Sequence, residues 1–148
     1  MKKENGMQRI LVPVDGSETA LRAVDCALRL AHCSRGPVEL HLLNVQPPIV
    51  SGGVRMFFKH EEIEAYHQDI GQEALRAARE RLDQAGQGYV QHVSVGPLGE
   101  TIVAYAKEQR CDHIVMGPRG LGAMSGMVLG SVASKVIYLA EVPVTLVK

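Results

Sequence analysis

Five apolar or alternating runs are separated by four segments of helical spacing along this chain of 148 residues. The runs cover residues 10–14, 38–45, 89–95, 114–116 and 142–147, and the helical segments cover residues 18–33, 59–85 and 127–140, with one more opened by residues 96–100. Strands and helices in alternation favour a parallel sheet with right-handed crossovers. The sequence therefore predicts an open α/β fold of five parallel strands with helices on both faces.

The ends of strands 1 and 4 are the expected position of a ligand. In open parallel sheets, ligands lie beyond the carboxyl ends of the strands, where the strand order reverses. Strand 1 ends near Pro13 and is followed by Asp15 and Ser17, while Gly117 follows strand 4. If strand 1 is central, the strand order reverses between strands 1 and 4, and we then expect Asp15 and the Gly117 loop to lie close together.

The stretch 114–131 begins as the apolar run 114–116 and continues as a loop with glycines at positions 117, 120, 122, 126 and 130. A strand, a glycine loop and a helix N-terminus in this order present backbone N–H groups to an anion. The P-loop pattern is absent, and the dinucleotide pattern G-x-G-x-x-G fails because three residues follow Gly122 before the next glycine. The spacing that fits is Gly117-x-x-Gly120, nine residues, then Gly130-Ser131. The alternative is that these glycines serve only turns.

Charge and composition restrict the classes of partner. Sixteen basic and sixteen acidic residues give a formal net charge of zero, so we expect neither a nucleic-acid nor a membrane partner. We see no apolar run long enough for a transmembrane helix and no secretory signal. The odd number of cysteines, without a C-x-x-C pair, indicates reduced thiols. We expect one cytoplasmic domain over residues 1–148, with residues 1–6 as a frayed tail.

Four stretches of the chain carry a resemblance to a known family. The glycine pattern that ends in Gly130-Ser131 matches the family's nucleotide-binding motif without a gap. Residues 10–17 resemble its first strand and turn, and residues 115–117 and 142–147 resemble its fourth and fifth strands. On these grounds the chain resembles the universal stress protein family, in its ATP-binding branch. The resemblance implies a Rossmann-like fold of the adenine nucleotide alpha hydrolase type, with the five strands in the order 3-2-1-4-5.

The resemblance also implies roles for individual residues. It assigns the nucleotide to Pro13, Val14 and Asp15 (adenine and ribose), Val45 (over the base), and Met116, Gly117, Arg119, Gly120, Gly130, Ser131 and Val132 (ribose and phosphates). Chemically, Asp15 suits ribose hydroxyls and Arg119 suits phosphate oxygens. The alternatives are a helix-capping aspartate and a solvated loop arginine. Pro118 departs from the family pattern, because the family often has a small hydroxylic residue there and proline removes a backbone donor.

The remaining candidate residues give weaker indications of a function. His60 and His67 are seven positions apart, and we expect a surface pair rather than a metal site. Cys26 and Cys33 have the same spacing and are expected to be small core or boundary residues. Residues 46–58 are aperiodic, and their Met-Phe-Phe run is expected to pack within a loop. No residue is assigned a catalytic or a metal-binding role.

The resulting hypothesis is an ATP-binding stress-response regulator or sensor whose main activity is binding rather than turnover. Its ligand is ATP or another adenine nucleotide, with a magnesium or manganese ion as an optional bridge between phosphates. We expect a homodimer formed through strand 5, since an apolar sheet edge needs covering. Two alternatives remain open, a slow ATPase or nucleotide hydrolase on the same scaffold and an interaction module that has lost nucleotide binding.

Overall fold

A five-stranded parallel sheet in the order β3-β2-β1-β4-β5 forms the centre of the protein. The computed structural model describes residues 6–49, 52–121 and 128–148. The strands are β1 (Gln8–Pro13), β2 (Val38–Gln46), β3 (Tyr89–Val95), β4 (His113–Met116) and β5 (Val144–Leu146). Each neighbouring pair is parallel. The predicted strand order and fold class are therefore confirmed.

Helices cover both faces of this sheet. They are α1 (Glu18–Cys33), α2 (Gly52–Phe57), α3 (His60–Gln84), α4 (Leu98–Glu108) and α5 (Ser131–Leu139). Apolar side chains of α1 and α3 join Val12 and Leu42 in one core cluster. Those of α4 and α5 join Leu11 and Leu43 in a second cluster, because successive strand residues point to opposite faces. None of the described helices is both long and apolar enough to cross a membrane.

Helix α1 begins shortly after the end of β1 in the sequence. The Ser17 side chain accepts a hydrogen bond of 3.1 Å from the backbone N–H of Ala20, which satisfies one of the free donors of the first turn. Glu18 adds a negative charge at the positive end of the helix. The buried face carries only small residues and one valine (Ala20, Ala23, Val24 and Ala27). This small face lets α1 lie close to the sheet beside the carboxyl end of β1.

Helix α3 approaches the sheet so closely at Gly71 that no side chain fits there. A Cβ on Gly71 would lie 2.5 Å from both methyl groups of Val93 and 3.1 Å from Gln46 Nε2. The distance between this Cβ and the Val93 methyl carbons is far below the van der Waals contact distance. Glycine at this position therefore fixes the separation between α3 and strands β2 and β3.

Two stretches differ from the sequence-based expectation. Residues 52–57 form the short helix α2 inside the segment expected to be a loop, and Met56 and Phe57 are 86% and 84% exposed instead of packed. The last helix was expected over residues 127–140 but begins at Ser131. Gly130 has an extended backbone (φ −79°, ψ 164°) and forms the N-cap, so it cannot belong to the helix. Residue 127 lies outside the described residues.

Candidate functional site

A cavity of about 230 Å³ lies at the carboxyl ends of β1, β2 and β4. The first residues of α4 and α5 also line it. The structure brings together in this cavity all the residues that the sequence predicts for a nucleotide site, which are Pro13, Val14, Asp15, Val45, Met116, Gly117, Arg119, Gly120, Gly130, Ser131 and Val132. These residues are drawn from both halves of the chain, and strand order alone makes them neighbours.

Asp15 connects the loop after β1 to the loop after β4. Its Oδ1 accepts a hydrogen bond from the Ser17 N–H, and its Oδ2 accepts one from the Leu121 N–H, both at 2.9 Å. The side chain that caps α1 is Ser17, so Asp15 is not the helix-capping aspartate considered above. Because each carboxylate oxygen has two acceptor sites, the half-buried Asp15 can still accept hydrogen bonds from a ligand.

Two glycines of the loop are required by close contacts within the chain. A Cβ on Gly117 would overlap the Cγ2 methyl of Thr19 at the start of α1. A Cβ on Gly120 would overlap Oδ2 of Asp15. A side chain at either position would therefore displace Thr19 or Asp15, because the loop packs against residues 15–19.

Pro118 and Gly130 close the loop on itself. The carbonyl oxygen of the buried Pro118 accepts a hydrogen bond of 2.6 Å from the Gly130 N–H. That N–H is consequently used within the chain, and Pro118 has no N–H to offer. Neither residue can donate to an anion in this arrangement, so the donors at this end of the cavity belong to α5.

The N-terminus of α5 faces the cavity without a side-chain cap. Gly130 makes no side-chain capping bond, and its carbonyl accepts the first helical hydrogen bond, from Ser134 N–H at 3.0 Å. The N–H groups of residues 131–133 have no acceptor within the helix. Ser131, Val132 and Ala133 all line the cavity. Backbone N–H groups without an acceptor in the helix, together with the positive end of the helix dipole, favour an anion at this end of the cavity.

Apolar side chains form the other walls. Val14, Leu43, Val45, Ile102 and Met116 line the cavity, from strands β2 and β4, the end of β1 and helix α4. Such a surface suits a flat, mostly apolar ring. The cavity therefore combines an apolar region, a carboxylate and an anion-binding helix end.

Comparison with known proteins decides the family. The model of the universal stress protein family matches residues 6–148. The chain belongs to the universal stress protein family. It is 31% identical to a universal stress protein of Methanocaldococcus jannaschii over 98% of this chain and 84% of the relative.

Solved universal stress proteins share the fold. The UspA structure from Lactobacillus plantarum superposes with a TM-score of 0.78 at 26% identity, covering 95% of this chain and 97% of the other. A universal stress protein in complex with cAMP superposes with a TM-score of 0.71 at 28% identity, covering 95% and 97%. These relatives have the adenine nucleotide alpha hydrolase-like fold, which is therefore the fold of this chain as well.

Sequence reasoning missed part of the lining of this universal stress protein. The additional lining residues are Ser17, Ala20, Leu43, Leu98, Ile102, Leu121 and Ala133. Leu43 lies two positions before Val45 on the same strand face, so strand alternation was an available signal. Leu98 and Ile102 are four positions apart on α4, which places them on one helix face. The sequence did not indicate that α4 starts beside the cavity.

A buried polar cluster lies away from the cavity, beneath α4. His41 is 3% exposed, with Nδ1 2.9 Å from the Tyr105 hydroxyl and Nε2 2.9 Å from Glu39 Oε1. Burial lowers the pKa of His41, although the Glu39 carboxylate acts in the opposite direction. Burial also raises the pKa of Tyr105 to about 12. His41 and Tyr105 are thus both neutral at physiological pH, and their hydrogen bond holds α4 on β2.

The minor candidates from the sequence have different surroundings from those expected. His60 is exposed and pairs with Glu64, but His67 is buried, so the expected surface pair is wrong. His67 points to the sheet because α3 lies close to β2 at Gly71. Cys33 is exposed at the end of α1 rather than in the core or at its boundary, whereas Cys26 is partly buried as expected.

Proposed function

We propose that this universal stress protein binds an adenine nucleotide, ATP or another adenylate, and acts as a stress-response regulator or sensor through binding rather than turnover. The observation that carries the proposal is the arrangement around one cavity of an apolar wall, the Asp15 carboxylate and the uncapped N-terminus of α5. The apolar wall suits a purine, and the carboxylate suits ribose hydroxyls. The helix end suits a phosphate.

A related protein supports the choice of adenine nucleotide. The universal stress protein solved with cAMP is 28% identical to this chain and matches 95% of it. Within this chain, Arg119 also lines the cavity and is exposed, so its guanidinium can turn towards phosphate oxygens. The Gly130 N–H, already bonded to Pro118, would contribute nothing to phosphate binding. We therefore assign the phosphate to Ser131, Val132 and Ala133.

A resident metal ion does not fit the donors of this site. No group of three His, Cys, Asp or Glu side chains among the described residues can hold an ion. Among the described residues that line the cavity, Asp15 is the only His, Cys, Asp or Glu. A magnesium or manganese ion would accordingly enter with the phosphates of the nucleotide, which supply the oxygen ligands that these ions prefer.

We also propose that the protein is a cytoplasmic homodimer that pairs through β5. Strand β5 is an edge of the sheet, and Leu146 is 37% exposed. On the neighbouring α5, Ile137 and Tyr138 are 45% and 84% exposed. A second copy that pairs with β5 would cover the unpaired backbone groups of this edge and could also cover exposed apolar side chains.

Calorimetric titration of the purified protein with AMP, ADP, ATP and cAMP tests nucleotide binding, with GTP as the base-specificity control. We expect at least one adenylate to bind with a Kd below about 1 mM, which corresponds to about −4 kcal/mol. Failure of all four would favour an interaction module without nucleotide binding. Incubation with ATP followed by ³¹P NMR tests turnover, and sustained release of phosphate would favour a hydrolase.

A further inference from the structure

A chain of buried hydrogen bonds runs from helix α3 to the wall of the cavity. The His67 ring Nδ1 lies 2.9 Å from Gln46 Oε1, and Gln46 Nε2 donates to the His67 carbonyl at 2.7 Å. Gln46 Nε2 also donates to Asn44 Oδ1 at 3.0 Å, and Asn44 Nδ2 donates to the Val14 carbonyl at 2.9 Å. These three side chains are buried, at 4% to 8% exposure. The chain ends on a residue that lines the cavity.

The three side chains lie on the sheet face opposite to the cavity. Residues alternate along β2, so Val45 lies on the cavity side while Asn44 and Gln46 lie on the side of α3. The tight contact at Gly71, where a Cβ would lie 3.1 Å from Gln46 Nε2, keeps α3 next to this face. The hydrogen bonds of Asn44 and Gln46 therefore hold β2 immediately before and immediately after Val45, on the sheet face that packs against α3.

The donors and acceptors of these three side chains permit one arrangement of hydrogen bonds. An amide oxygen only accepts, so Gln46 Oε1 requires the hydrogen of His67 to be on Nδ1. Both N–H groups of Gln46 are used, one on Asn44 and one on the His67 carbonyl. Asn44 then has its amide N–H directed at Val14. A buried network in which every member is satisfied specifies a single geometry, because any flip leaves a buried polar atom unpaired.

The end of the chain adjoins the residue that joins the two loops of the site. Val14 is followed by Asp15, whose carboxylate accepts from Ser17 N–H and Leu121 N–H. A shift of the Val14 carbonyl would therefore move the carboxylate and, with it, the loop after β4. We propose that Asn44, Gln46 and His67 are positioning residues that set the geometry of Val14 and Asp15 from helix α3, and with it the affinity of the cavity for its nucleotide.

The test compares Gln46→Leu, which removes the central link at similar volume, with Leu82→Ala, which weakens the packing of the same helix. Leu82 is fully buried and belongs to the core between α3 and the sheet, without lining the cavity. The first readout is amide hydrogen exchange by NMR in the nucleotide-free protein. We expect Gln46→Leu to speed exchange of the Ser17 and Leu121 N–H groups about tenfold relative to Leu82→Ala at matched thermal stability. Equal exchange in the two variants would overturn the proposal.

The second readout is the Kd for the best adenylate, and it rests on the proposed function. We expect about tenfold weaker binding for Gln46→Leu and no comparable loss for Leu82→Ala at matched stability. If wild type binds no adenylate, the proposed function fails while the exchange experiment still decides the positioning role. If wild type binds and both variants weaken binding equally, the positioning role is wrong and the proposed function stands.

Discussion

The backbone N–H of Leu121 donates a hydrogen bond to Asp15 Oδ2 across 106 positions of the sequence. This bond joins two loops that follow different strands, β1 and β4. The same carboxylate also accepts from Ser17, at the start of α1. Asp15 thus holds the two loops together at the cavity, and in the proposed nucleotide site it would both position the loop after β4 and contact the ligand.

Replacement of Asp15 by asparagine should weaken nucleotide binding by about 1–3 kcal/mol. The NH₂ group of asparagine cannot accept a hydrogen bond, so either Ser17 N–H or Leu121 N–H would lose its partner. Calorimetric titration measures the loss. The matched control is Asp83→Asn, which changes an exposed carboxyl that accepts from the Tyr89 hydroxyl and does not line the cavity. Wild-type affinity in Asp15→Asn would contradict this role.

Alanine at position 120 should disturb the site, whereas alanine at position 88 should not. A Cβ on Gly120 would overlap the Asp15 carboxylate, but a Cβ on Gly88 would meet nothing within 4 Å. We expect Gly120→Ala to lose about 1–3 kcal/mol of stability or binding through overpacking, measured by thermal unfolding and calorimetry. Identical behaviour of the two variants would show that the contact with Asp15 has no energetic consequence.

The free energy of unfolding should decrease as the pH falls below about 6.5. Burial lowers the pKa of His41 below its ordinary 6.5, so the unfolded chain takes up a proton that the folded state refuses until lower pH. Burial also lowers the pKa of His113, which has the same effect on the free energy of unfolding. Urea unfolding between pH 7.5 and 5.5 measures the slope, at most about 1.4 kcal/mol per pH unit for each proton.

His41→Gln and His113→Gln separate the two contributions to this pH dependence. Each variant should have a smaller slope than the wild-type protein, because glutamine does not titrate in this range. His60→Gln is the control, since His60 is exposed at the start of α3. An unchanged slope in both His41→Gln and His113→Gln would exclude these groups as its source.

A charge on β5 should convert the proposed dimer into a monomer. Leu146→Lys places an ammonium group at the edge that is proposed to pair, and desolvating it would be unfavourable. Val90→Lys is the matched control, because Val90 is 39% exposed on the opposite edge strand, compared with 37% for Leu146. Sedimentation equilibrium should give twice 16.1 kDa for wild type and for the control, and 16.1 kDa for Leu146→Lys. A dimeric Leu146→Lys would place the interface elsewhere.

The sequence predicted the strands and the helices because both depend on local pattern and chain order. Apolar runs at 10–14 and 114–116 indicated buried strands, and the strand order put the loops that follow them side by side. The resemblance then supplied the individual residues. Those residues all line the cavity, because a loop that follows a strand stays at that strand's end.

Contacts between distant side chains could not be predicted in the same way. The burial of His67 depends on the distance between α3 and β2. The spacing of residues along a helix does not predict that distance. The hydrogen bond from Gly130 to the Pro118 carbonyl likewise depends on how the loop closes. Helix α2 was missed because its Gly-Gly start and aromatic end give no helical periodicity.

The close contact of Gly71 with Val93 has a consequence for how this protein can diverge. The two methyl groups of Val93 occupy the volume that any side chain at position 71 would need. An alanine or a larger residue at position 71 is therefore overpacked unless position 93 has first become smaller, and overpacking of this kind destabilises a core by about 1–3 kcal/mol. We expect these two positions to co-vary among descendants of this sequence, although they lie 22 positions apart on different elements.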